Sequence, residues 1–278
     1  MGTNRLVDRL AKAEIVLLGE QHDNVDHHRI QARLLQGLIA AGRRPAVAFE
    51  QIDITRQAAV DAVPGQGDAA RRASALADAV DWQRSGWPPF DAYRPVFETA
   101  LGSGLPIRAA NLSRAELRLA MAHAGTVAQD EASDRFALHD EARASLAADI
   151  EESHCGYANE RMVTAMIEAQ RRRDETMAGV VVEALGLTDS DGVVLIAGAG
   201  HARKDYGVPV YLQHRAASRR VVSVAMLEVI ADFESPNDYA QAFHSSSLPF
   251  DFVIFTPRAA DDDPCEKFRE GLEKMKAR

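Results

Sequence analysis

Cysteine is scarce in this chain: there are two among 278 residues, Cys155 and Cys265. They lie far apart and make neither a disulfide framework nor a zinc ribbon. A c-type haem attachment motif is absent. Aromatic side chains are few, at 6%. No run approaches the roughly 20 consecutive apolar residues of a membrane span. Positive charge is not in excess either. Lys and Arg number 32 against 41 Asp and Glu, for a formal net charge of −9 and a pI near 5.5. That balance argues against a partner such as nucleic acid or an anionic membrane, which selects for a basic patch. The first apolar run starts by Glu14 and leaves no room for a signal peptide. As it stands the chain reads as cytoplasmic, or as periplasmic or lipid-anchored if a leader has been removed. The sequence carries no signal of oligomeric state.

What is present is an ordinary globular composition, 46% hydrophobic and 26% charged. Two stretches carry most of the information. Ile15-Val16-Leu17-Leu18-Gly19-Glu20-Gln21-His22 and Val193-Val194-Leu195-Ile196-Ala197-Gly198-Ala199-Gly200-His201 share one plan. Each is a short apolar, largely β-branched run followed by Gly-x-x-His. Such runs mark parallel strands buried on both faces, and open α/β sheets bind ligands beyond the carboxyl ends of those strands. The bare string is weak: 18 glycines and 9 histidines predict roughly 0.6 matches by chance, against two found. Its position after a buried strand, twice, strengthens it. The two strands are expected to lie side by side. A third run, Ala46-Val47-Ala48-Phe49, ends on Glu50. His22, Glu50 and His201 then form a two-nitrogen, one-carboxylate set suited to a divalent metal or to acid–base work. A polar residue at a strand end often only caps the next helix; the convergence of three is what favours a site.

The rest of the chain fills in an α/β fold, a central mostly parallel sheet flanked by helices, over residues 1–278 as one domain with helical insertions at about 51–104 and 112–190. Residues 1–13 form a short amphipathic lead-in. Asp23 or Asn24 caps a helix that carries Ile30, Leu34, Leu35, Leu38 and Ile39 on one side and ends at Gly42. His27 and His28 sit in its first turns, one read as a surface residue and the other as a hydrogen-bonded boundary residue. Leu105–Ala110 is a short strand that brings Asn111 to the same rim. Ser113-x-x-Glu116 is a capping box. The longest helical pattern runs from about Tyr157 to Leu185, with Met162, Met166, Ala169, Met177, Val180 and Leu185 on its apolar stripe. Arg173 falls on that stripe, so it either holds a ligand carboxylate or phosphate or braces an internal carboxylate. Tyr206 and Tyr211 follow the second Gly-x-x-His closely enough for their phenols to be candidates for the crevice. Arg220–Met226, with Glu228 beyond it, and Asp251–Thr256 are further strands. Asp261-Asp262-Asp263 is a solvated acidic run. His123, His139, His154, His214 and His244 have no partner at ligand spacing.

Several segments taken together resemble the ChaN-like haem-binding, iron-regulated family of bacterial proteins, within a superfamily that includes the TraB/Tiki proteases and the erythromycin esterases. They are Leu17–Asn24 with His28, Ala48-Phe49-Glu50, Gly86-Trp87 with Tyr93-Arg94-Pro95, Ala110-Asn111-Leu112, Gln170 with Arg173-Asp174 and Met177-Ala178, Gly198–Arg203, and Gly207-Val208-Pro209. The resemblance implies haem as the ligand, with an axial donor drawn from His, Tyr, Cys or Met. It makes His22, His201, Tyr206 and Tyr211 candidates for contact with the cofactor, and Arg173 or Arg203 candidates for the propionates. In the hydrolase branches the two motifs and an acidic residue make the catalytic or metal site, which here corresponds to His22, His201 and Glu50, with Glu20 also matching. Members of the family are often lipoproteins, and this chain shows no lipobox. Two functions therefore compete: a haem-binding protein of iron acquisition, and a metal-dependent or acid–base hydrolase.

Overall fold

The computed structural model describes residues 2–124, 138–260 and 264–276. Six strands form one sheet: β1 (Ile15–Glu20), β2 (Ala46–Asp53), β3 (Ile107–Asn111), β4 (Val193–Gly198), β5 (Val221–Glu228) and β6 (Phe252–Thr256). Their order is β3-β2-β4-β1-β5-β6, and every neighbouring pair is parallel. The two motif-bearing strands, β1 and β4, do pair, with Ile15 opposite Val193 and Glu20 opposite Gly198. β2 lies on the far side of β4, with Phe49 opposite Ile196. The carboxyl ends of β2, β4 and β1 thus meet at one edge, where the chain order along the sheet is broken and a crevice forms.

Alternation of side chains along the strands explains the two-sided core. Val16, Leu18, Val47, Phe49, Val194 and Ile196 face one layer of apolar packing. That layer includes Leu34, Leu35 and Leu38 of α2 (Val25–Ala40) and Val96 and Phe97 of α5 (Phe90–Gly102). Ile15, Leu17, Ala46, Ala48, Val193 and Leu195 face the other. It holds Met177, Ala178 and Val181 of α8 (Glu160–Ala184) and Tyr211 and Leu212 of α10 (Val208–Arg215). A smaller cluster joins Leu146 and Ile150 of α7 (Asp140–Ser153) to Val163 and Ile167 of α8 and to Tyr206.

Local signals fix most helix starts. Asn24 caps α2 by accepting from the Asp26 amide at 3.0 Å. The capping box of Ser113 and Glu116 opens α6 (Arg114–His123). Pro209 sits in the first turn of α10. Three expectations need correction. The long helix α8 begins at Glu160, not Tyr157, because the Asn159 side chain caps it at the Met162 amide, 3.0 Å away. Met162 is 41% exposed, and Val163 and Ile167 take the packing positions instead. The two cysteines, read as making no disulfide framework, form a single disulfide between Cys155 and Cys265, 110 residues apart. It ties α12 (Pro264–Lys276) to the turn between α7 and α8. The acidic run Asp261–Asp263 and the side chain of His123 lie outside the described residues.

Both motif glycines make room. A Cβ at Gly19 would stand 2.9 Å from the Ala199 Cα and from the Ala202 Cβ of α9 (Ala199–Ala202), a short helix lying across β1. A Cβ at Gly198 would stand 2.9 Å from Nε2 of His22. Each Gly-x-x-His therefore needs its glycine for the other motif to approach, which accounts for the paired spacing. Gly19→Ala is expected to force α9 off the sheet and to lower stability by about 1–3 kcal/mol, read as a lower denaturation midpoint with an unchanged slope.

Candidate functional site

Glu20, the last residue of β1, is buried, and five side chains from three elements and the turn after β1 close on it. Its Oε1 accepts from Nδ1 of His22 at 2.9 Å, from the Tyr93 hydroxyl at 2.6 Å and from Nε2 of Gln51 at 3.0 Å. Its Oε2 accepts from Nε2 of Gln31 at 2.7 Å, and Nε2 of His28 lies 3.5 Å away. Burial pushes the Glu20 carboxyl up, but the hydrogen bond from His22 and the nearby His28 imidazole outweigh it and hold the group below its ordinary value. The Tyr93 hydroxyl is raised by burial and by Glu20 beside it, so it stays protonated and donates. With Nδ1 of His22 held by Glu20, Nε2 points to the centre of the site, 3.9 Å from Oε1 of Glu50. The His22 side chain is 36% exposed and rests edge-on against Trp87, ring centroids 4.7 Å apart. Burial lowers the His22 imidazole, yet Glu50 and Glu20 more than compensate and raise it.

The second half is built on β2, α8 and α9. Glu50 is fully buried within β2, where the register against β3 shifts between Phe49 and Asp53. Its Oε2 accepts from the Gly198 amide at 2.6 Å. Its Oε1 is bonded by Arg173 Nη2 and lies 3.3 Å from Nε2 of His201. Nδ1 of His201 meets Asp174 at 2.6 Å, and Gln170 is 3.0 Å from the same nitrogen. Asn111, at the end of β3, accepts from Nε of Arg173 at 3.1 Å. His201 is thus clamped between two carboxylates. Burial disfavours its charge, but Glu50 and then Asp174 outweigh burial and raise it to about 9. Burial lifts Asp174 to about 6. Glu50 would rise on burial too, but the charges on His201, Arg173 and His22 hold it well below the usual carboxylate range.

The structure brings Glu20, His22, Glu50, His201 and Arg173 together at one edge. It does not bring Arg203, Tyr206 and Tyr211 to that edge as open groups. Arg203 is fully buried and donates to Asp149 at 2.7 Å, to Asp205 at 2.6 Å and to Ser145 at 2.8 Å, a brace between α9 and α7. The Tyr206 hydroxyl donates to Asp149 at 2.6 Å. Tyr211 is buried in the core against α8. All three were expected near haem because they follow the second motif in sequence; their side chains turn inward instead. His27 and His28, expected at the surface and the boundary, are both fully buried. Nδ1 of His27 accepts from the Gln21 amide at 2.8 Å and Nε2 pairs with Thr256 at 2.8 Å. The His28 ring lies 3.9 Å from that of Tyr93. Among the described residues, no group of three or more His, Cys, Asp and Glu side chains is placed to hold a metal ion.

The family profile described as "Haem-binding uptake, Tiki superfamily, ChaN" matches residues 6–212. The chain belongs to this family. Among solved structures, the fold is similar to one described as cofacial heme binding to ChaN of Campylobacter jejuni. That match has a TM-score of 0.68 and 23% sequence identity, and it covers 89% of this chain and 90% of that one. The type III effector HopBA1 shares the fold at a TM-score of 0.55 and 14% identity, covering 92% of this chain and 94% of its own. An erythromycin esterase, EreC, in its open conformation aligns at a TM-score of 0.44 and 15% identity over 88% of this chain and 77% of its own, too distant to bear on function. None of the curated proteins matches the chain.

Membership of the ChaN family agrees with the motifs, with Tyr93 and with Asp174; Gln31 and Gln51 complete the network around them. Asp174 carried a signal, a charge beside Arg173 on a helix that packs against the sheet. Gln31 and Gln51 carried none, since isolated glutamines have no diagnostic spacing. The clamp on His201 sets a pH dependence. A histidine raised in the folded state contributes stability that is fully present below its unfolded value near 6.5 and is lost as pH rises through its folded value of about 9. Stability is expected to fall between those two values by on the order of 3 kcal/mol. Asp174, also raised, acts separately, between about 4 and 6. Denaturation midpoints across pH 6 to 10 check this, and His201→Gln should flatten the alkaline decline.

Proposed function

We propose that this chain binds haem and serves bacterial haem uptake or iron acquisition. The observation that carries the reading is the match of the haem-binding uptake profile over residues 6–212. The residue inventory fits such a ligand. Haem iron takes His, Tyr, Cys or Met, and the described residues leave few of these open. Both cysteines are in the disulfide, and Tyr93, Tyr206, Tyr211 and Tyr239 are buried. Tyr157, in the turn between α7 and α8, is 52% exposed, and Met162 nearby is exposed as well. His22 is the accessible imidazole of the site. Tyr157, in the turn before α8, and His22, at the edge of the sheet, are two separate candidates to hold an iron, and haem would supply the chemistry of that iron. The Cys155–Cys265 bridge supports an oxidising compartment such as the periplasm. Haemin titration of the full chain is expected to give a saturable Soret shift. Tyr157→Phe or His22→Ala should weaken it by about tenfold or more, roughly 1.4 kcal/mol. A titration no different from that of an unrelated acidic protein removes the reading.

A second reading rests on one observation, the buried proton-handling cluster, which binding alone does not require. His22, held at Nδ1 by Glu20, has Nε2 directed inward and can take a proton from an attacking water. Arg173, whose side chain is partly exposed, is the cation that could face a developing oxyanion, while sealed His201 holds its charge against Glu50. This is acid–base hydrolysis of an ester or amide by the side chains themselves. A screen of aryl esters and peptides is expected to show turnover that drops at least about a hundredfold in His22→Ala; equal rates in wild type and variant end the reading.

A further inference from the structure

A cavity of about 440 Å³ opens beside this cluster, over the ends of β2 and β3. Four guanidinium groups line it: Arg56, Arg84, Arg114 and Arg173. Three carboxylates line it as well, and two are occupied. Glu50 is bonded by Arg173 and the Gly198 amide. Asp53 accepts from the amide and hydroxyl of Thr55 at 2.8 and 2.6 Å. Asp81 stands 3.9 Å from Arg84, at the edge of an ion-pair contact. Among the described residues, Arg56 and Arg114 thus line the cavity without a carboxylate of their own, although one Arg114 nitrogen donates to the Ser85 carbonyl.

Two further features point to a ligand rather than to a solvated charged surface. Trp87 forms part of the wall, and its ring also meets the His22 ring edge-on. The loop that carries it is bent through left-handed backbone at Asp81 (φ 55°) and Gly86 (φ 88°), a conformation that for aspartate costs of order 1 kcal/mol and persists where the surroundings hold it. Gln51 also lines the cavity. It is buried, its Nε2 is used by Glu20, and its Oε1 has no hydrogen-bond partner among the described residues. A buried acceptor without a donor costs about 1–3 kcal/mol, so the wall at Gln51 is held under strain, although this oxygen is closed off from the cavity and is not itself a ligand contact.

We infer that this cavity is a binding site for a small phosphate monoester carried on a planar ring, with Arg56 and Arg114 on the phosphoryl oxygens and Trp87 against the ring. Guanidinium forks match the terminal oxygens of a phosphate, and a dianion uses two of them where a carboxylate is satisfied by one. A ring on Trp87 gains stacking area. The site adjoins the acid–base cluster but does not depend on that cluster hydrolysing anything, nor on haem binding.

Phenyl phosphate is the probe, measured by calorimetry on the full disulfide-bonded chain at low salt, with benzoate and phenol in parallel arms. Saturable binding of phenyl phosphate is expected, with benzoate at least about tenfold weaker and phenol undetectable. Arg56→Gln and Arg114→Gln should each weaken binding by about tenfold. Both side chains are exposed, so the fold is retained, and Arg29→Gln on the outer face of α2 serves as the unchanged control. Three results overturn the inference: no saturable heat with phenyl phosphate, binding unaltered in both arginine variants, or benzoate binding as tightly. Displacement of phenyl phosphate by one equivalent of haemin also overturns it, because the arginines would then serve haem carboxylates.

Discussion

The carboxylate of Glu50 organises this molecule. Moving an ionised carboxylate out of water costs several kcal/mol even after the protein relaxes around it, and Glu50 is fully buried. The cost is offset by three partners from three elements: the Gly198 amide at the end of β4, the Arg173 guanidinium on α8 and the His201 imidazole on α9. One charge therefore ties the middle of the sheet to the long helix across it. The arrangement is also directional. The proton that can move belongs to His201, and Asp174 behind it helps to hold that proton in place.

The Glu20 cluster is a second, smaller version of the same solution. It neutralises its buried carboxylate with donors that are mostly uncharged, Tyr93, Gln31 and Gln51, plus His22. The contrast separates the two histidines. His201 lies between two carboxylates and is sealed from solvent, whereas His22 has one carboxylate in hydrogen-bond contact, an aromatic neighbour and an open side. Of the two, His22 is built to exchange with the outside and His201 to hold a charge in place. Both functional readings assign the accessible role to His22 for this reason.

The sequence made the frame legible because the frame is local physics. Apolar runs bounded by glycine announced β1 and β4, the shared motif announced their pairing, and Asn111 was placed on the correct rim before its bond to Arg173 was visible. Direction was harder. Tyr206, Tyr211 and Arg203 stand within ten residues of His201, but a short helix can send a side chain either to the crevice or to the core, and α7 supplied Asp149 and Ser145 to draw two of them inward. His27 and His28 looked peripheral because their cover comes from distant segments, Thr256 of β6 for His27 and Tyr93 of α5 for His28. The error at Met162 was one of phase: one residue along a helix turns a side chain by about 100°, and Val163 took the buried place. The disulfide left no local trace, since its halves are separated by 110 residues.

The strand order has a consequence for how the chain comes into being. β1 is among the first segments synthesised, yet both of its neighbours in the sheet, β4 and β5, lie beyond residue 192. During translation it emerges as an apolar ribbon with two unsatisfied edges and waits for more than half of the polypeptide to follow. At about 5–20 residues per second, that interval is on the order of ten seconds or more. Throughout it, half of the site exists only as a sticky strand, so the nascent chain is a natural client for a chaperone, and a ribosome stalled before Val193 would leave a product that has no way to hide it.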